Sequence, residues 1–93
     1  MNTIKLFPTV GAFAENKDTA RDMRINEIVP ILDKGESLVL DFENIDSITQ
    51  SFAHALISDL IRKYGIDVLD RISFANCNKT VSKILEIVVD YMQ

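Results

Sequence analysis

The chain has 93 residues, of which 47% are apolar and 26% charged, with a formal net charge of −4 and a single cysteine. This is enough for one domain around one core, over residues 1–93, and it is the composition of a folded chain rather than a disordered one. One thiol, Cys77, excludes an intrachain disulfide and a multi-thiolate metal site, and ten scattered Lys and Arg form no basic stripe of the kind nucleic acid requires.

No apolar run approaches the ~20 residues that span a bilayer. The opening MNTIKLFPTVG has neither a basic leader nor a long apolar stretch, so a cytoplasmic protein is expected. Ile4 to Phe7 reads as a short strand, Pro8 and Gly11 as a turn, and Val10 to Ala14 as a second strand closing a hairpin. Asp18 is the expected N-cap of a helix whose apolar positions are Ala20, Met23, Ile28, Ile31 and Leu32. Pro30 lacks an amide and predicts a kink or an early end near Val29, and Gly35 fits the position just past the helix.

Ser37 to Phe42 is the expected central strand. Leu38, Leu40 and Phe42 share one side and Val39 takes the other, a pattern that predicts a strand covered on both faces. A polar turn comes next, and an amphipathic helix runs from about Ser51 to Tyr64. Phe52, Leu56, Ile57, Leu60 and Tyr64 form its buried stripe, and Ser51, His54, Ser58 and Arg62 its polar one. Asp59 and Lys63 are spaced for an ion pair, and Gly65 closes the helix. Arg71 to Ala75 is the next strand, and Asn78 caps a last helix with Val81, Ile84, Leu85 and Val88 inward. Ile87, Val89, Tyr91 and Met92 widen its apolar surface and point to self-association as a homodimer or to tight packing on the sheet. The expected fold is α/β: a small mixed sheet with crossover helices in the order β(β)αβαβα.

The junction of Leu38–Phe42 with the next helix, at the carboxyl end of a strand, is where open α/β sheets place binding sites. Asp41, Ser51 and His54 lie at this corner and could serve a small oligomeric enzyme or a ligand-binding domain. Asp41, Glu43, Asp46 and Asp59 also fit plain capping and solvated roles. His54 has hydroxyls at Ser51 and Ser58, three and four residues away, but no evident oxyanion site. Cys77, just before the last helix, fits a buried small residue better than a reactive thiol.

Gly11-Ala12-Phe13-Ala14, Ala20-Arg21-Asp22-Met23-Arg24, Leu38-Val39-Leu40-Asp41-Phe42, Ile45, Ile48-Thr49-Gln50-Ser51-Phe52-Ala53 and Asn76 to Val81 form a pattern along nearly the whole chain. In it the chain resembles the STAS-like domain family of unknown function, bacterial relatives of the anti-sigma-factor-antagonist domain. The resemblance implies a compact α/β domain that is not an enzyme and needs no metal or other cofactor. It implies regulation through protein contacts, plausibly with a histidine-kinase-like ATPase. The docking surface it implies is the corner at residues 46–58, through Thr49, Gln50, Ser51, His54 and Ser58. In anti-sigma-factor antagonists a serine at this corner is phosphorylated, which breaks the contact by adding charge. Gln50 occupies that position here, His54 stands where relatives often carry an acid, and Ser51 is the neighbouring hydroxyl open to modification. No nucleic acid and no membrane enter this picture.

Overall fold

The computed structural model describes residues 2–92. Its centre is β3 (Leu38–Asp41), flanked by β1 (Asn2–Lys5) and β5 (Ile72–Ala75) in a three-stranded sheet of order β1-β3-β5. Both pairings are parallel, with Ile4, Leu40 and Phe74 in one rung and Thr3, Val39 and Ser73 in the next. Parallel neighbours need crossovers, and the helical segments between the strands supply them.

Leu38, Leu40 and Phe42 are fully buried with Leu6, Ile28, Phe52, Leu56, Ile57 and Val81 around them. Burying each large side chain is worth about 1.5–3 kcal/mol. Thr3 and Ser73 on the opposite face are exposed and Val39 between them is half-buried, so the packed layer lies on one side only. The expectation of cover on both faces is therefore corrected: one valine between two hydroxyl residues makes a polar face that can stay wet.

The sheet is not mixed, and the expected hairpin does not form. After β1 the chain turns at once into α1 (Phe7–Val10), a single turn with Pro8 in its first positions, where a missing amide costs nothing. Gly11 then adopts φ 74° and sends the chain into β2 (Phe13–Ala14), which pairs in parallel with β4 (Ser47–Ile48) as a separate two-stranded sheet. Thus α1 and β4 interrupt the expected order of elements.

The first crossover comprises α2 (Lys17–Met23), a π-helical stretch (Arg24–Ile28) and α3 (Val29–Asp33). Asn16, not Asp18, caps it, accepting the amides of Asp18 and Thr19 at 2.9 and 3.2 Å. Pro30 falls in the first turn of α3, so the disturbance it causes is the wide turn before it, and helix persists to Asp33.

The second crossover has the same plan: α4 (Gln50–Ala53), a π-helical stretch (His54–Ser58) and α5 (Asp59–Tyr64), ended by Gly65 at φ 86°. Asp59 pairs with Arg62 at 2.8 Å and Arg24 at 2.9 Å, whereas Lys63 reaches Asp33 at 3.8 Å, so the expected Asp59–Lys63 pair is replaced. Tyr64 donates to Asp33, and burial, then that carboxylate, pushes its phenol up to about 12. A 3-10 turn (Ile66–Arg71) leads into β5, and α6 (Lys79–Met92) comes last, with Asn78 accepting the Val81 amide at 2.8 Å as its cap. α2 packs on α4 and the second π-helical stretch, and α6 packs on α4, that stretch and β4. Among the described residues no helix is long and apolar enough to cross a membrane.

Candidate functional site

The corner after β3 is held by the second sheet. Beyond Asp41 the chain turns through Asn44, whose φ of 69° suits asparagine. Asp46 then donates its amide to Ala12 at 2.7 Å and Thr49 its amide to Ala14 at 3.0 Å, which pins both sides of β4 to the β2 segment. Thr49 is extended (φ −88°, ψ 159°), and its hydroxyl accepts the Phe52 amide at 3.1 Å. An N-cap of this kind is worth about 1 kcal/mol, so Thr49, which is half-buried, shapes the corner more than it presents itself. Its Oγ1 also lies 3.2 Å from Ser51 Oγ.

Gln50 and Ser51 are exposed and His54 is half-buried. Ser58 is 1% exposed, which corrects its expected place on the polar surface. The reason is the π-helical stretch. A five-residue turn inserts one extra position and rotates the residues beyond it, so Leu56, Ile57 and Ser58 are buried in succession. The Ser58 hydroxyl is satisfied within the helix, donating to the His54 carbonyl and lying 3.1 Å from His54 Nδ1.

A wide turn also leaves a carbonyl without its usual amide four residues on. The Ala55 carbonyl accepts instead from the guanidinium of Arg24, which in the same place pairs with Asp59. The two crossover helices are thus stitched at their irregular turns by one planar, multi-donor side chain.

Gln50, Ser51 and His54 form one wall of a cleft of about 310 Å³, and Ile87, Val88 and Tyr91 of α6 form the other. The His54 and Tyr91 rings are 6.3 Å apart and tilted by 59°. Tyr91 is 78% exposed and Ile87 39%. The pairing of α6 with the corner escaped the sequence, whose only signal was the excess of apolar residues late in that helix.

Asp41 belongs elsewhere. Its carboxylate accepts the Glu43 amide and the Asn76 side-chain amide, both at 2.9 Å, and it shares a cleft with Lys5, Phe7 and Asn44. The Asn76 bond first, then the Glu43 amide, hold its carboxyl below the usual range against an opposing effect of burial, with Lys5 adding to the lowering. Neither Ser51 nor His54 lines that cleft, so the Asp41, Ser51 and His54 grouping is not assembled as one site. Cys77 is half-buried; burial pushes its thiol up, away from a reactive thiolate, although a hydrogen bond with Ser82 opposes this.

The model of the STAS-like domain of unknown function (DUF4325) matches residues 25–82, more than half of the chain. The chain belongs to that family. No curated protein and no solved structure matches it. Within this STAS-like domain the matched span holds β3, the corner and the second crossover. The segments Gly11–Ala14 and Ala20–Arg24, which contribute to the resemblance in the sequence, lie outside it. So do Ile87, Val88 and Tyr91, and one wall of the cleft therefore falls within the family match while the other does not.

Proposed function

We propose that this STAS-like domain is a non-catalytic regulatory module that docks a protein partner through the corner at residues 46–58, completed by the last turns of α6. The observation that carries this is the cleft itself. Exposed Gln50 and Ser51 face exposed Ile87 and Tyr91 across it, above a fully packed core. An aromatic side chain beside adaptable polar groups, on a rigid base, is the composition of a protein interface. Thr49 and Ser58 act beneath it, one as cap and one as internal hydrogen-bond donor, while Gln50, Ser51 and His54 make the contact.

The partner class favoured by the family resemblance is a histidine-kinase-like ATPase. A phosphate on Ser51 would add about −1.5 to −2 charges at the edge of the cleft and weaken docking. The test uses the tagged chain as bait against the ATPases of its own cell, beside a variant with Gln50→Lys and Tyr91→Ala. Both positions are exposed, so the variant is expected to fold as judged by its melting curve. The expected result is capture of such an ATPase by the unchanged chain and loss of at least tenfold in affinity in the variant. Equal capture by both would show that the wrong face has been assigned.

A further inference from the structure

A second surface lies on another part of the molecule, where β5 forms one edge of the three-stranded sheet with no strand beyond it among the described residues. Next to that edge runs a groove of about 320 Å³, floored by Leu69, Phe74, Leu85 and Val89. Glu86 and Asp90 stand on its rim. They are four residues apart on α6, where like charges repel one another, and neither takes part in an ion pair among the described residues. Arg71, the last residue of the 3-10 turn before β5, is committed to the carbonyls of Leu32 and Glu36 and does not relieve them.

From this we infer that the β5 edge and its groove receive an extended segment of a protein partner, apolar at alternate positions and carrying Lys or Arg between them. The strand edge supplies backbone hydrogen bonds, the apolar floor takes every second side chain, and the two carboxylates select a basic sequence. Charge is what decides the occupant. A second copy paired here about a two-fold axis would bring Glu86 and Asp90 towards their own counterparts, which argues against self-pairing. The inference is independent of docking at the corner.

The test measures binding of a fluorescent nonapeptide of alternating Lys and Val to the intact chain, with two controls: the Glu-Val peptide, and a Lys-Val peptide with proline at two central positions. Saturable binding of the first alone is expected, with amide shifts at Ile72–Ala75. Affinity should fall about tenfold in the double variant Glu86→Lys, Asp90→Lys, and Gln50→Lys should leave it unchanged. The inference is overturned if the double variant binds equally well or the proline peptide binds as tightly. Shifts that gather at Gln50–His54, or a dimer through this face that the double variant strengthens, would also overturn it.

Discussion

The Ser58 hydroxyl lies 3.1 Å from His54 Nδ1 and also donates to the His54 carbonyl, one turn back in the same helix. A side chain that looks from the sequence like part of a polar surface is therefore an internal strut beneath the cleft. Replacing it separates folding from docking. Ser58→Ala should cost about 1 kcal/mol and lower the melting temperature by about 4–8 °C in a domain of this size. Affinity for the partner should change little once the variant is folded. Calorimetry and a binding titration on one sample check both parts.

Arg24 bonds the Ala55 carbonyl and Asp59 together, with its side chain only 11% exposed. Arg24→Met keeps much of the packing and removes every side-chain donor, so the Ala55 carbonyl loses this bond and Asp59 is left with Arg62 alone. The expected cost is about 1–3 kcal/mol, read from urea unfolding. Arg24→Lys should recover only part of it, since one ammonium cannot reproduce the planar fork.

The Asp41 carboxyl titrates below its ordinary 3.8 because of Asn76 and the Glu43 amide. A lowered folded value means that the ionised form is favoured by folding. Its contribution is complete above the unfolded value and is lost as pH falls through the lower, folded one. Melting curves recorded from about pH 5 down to about pH 2 should show a loss of stability that Asp41→Asn lacks. Parallel curves for the two proteins would contradict this assignment. Asn76→Ala should raise the Asp41 value, observable by carbon NMR of the carboxyl group.

Much of this fold is legible in the residues. Leu38, Leu40 and Phe42 announce the buried side of β3, while Gly35, Gly65 and Asn78 mark two helix ends and a start. The corner is legible because a polar turn separates the apolar run Leu38–Phe42 from the amphipathic stripe that begins at Phe52, whereas the Thr49 cap shows only in the structure. The hidden features each have a physical cause. Phe13–Ala14 and Ser47–Ile48 are two-residue strands, too short to show any period, and they pair across more than thirty residues. The wide turn at His54–Ser58 is supported by Arg24, on another helix, so no local pattern reveals it or the burial of Ser58. Tyr91 reaches the corner only because α6 folds back over α4, and its role could be sensed only as surplus apolar surface.

In the proposed function, this STAS-like domain meets a protein in the cleft between the corner and α6. The most direct measurement places a photo-crosslinking amino acid, in separate proteins, at Gln50, at Tyr91 and at Thr3, the last exposed on the polar face of the sheet. Each is irradiated in the cell of origin, and the adducts are identified by mass spectrometry. The predicted result is one ATPase joined through positions 50 and 91, absent from position 3 and reduced by Ser51→Asp. Adducts to that ATPase through Thr3 but not through Gln50 or Tyr91, or adducts unaffected by Ser51→Asp, would contradict it.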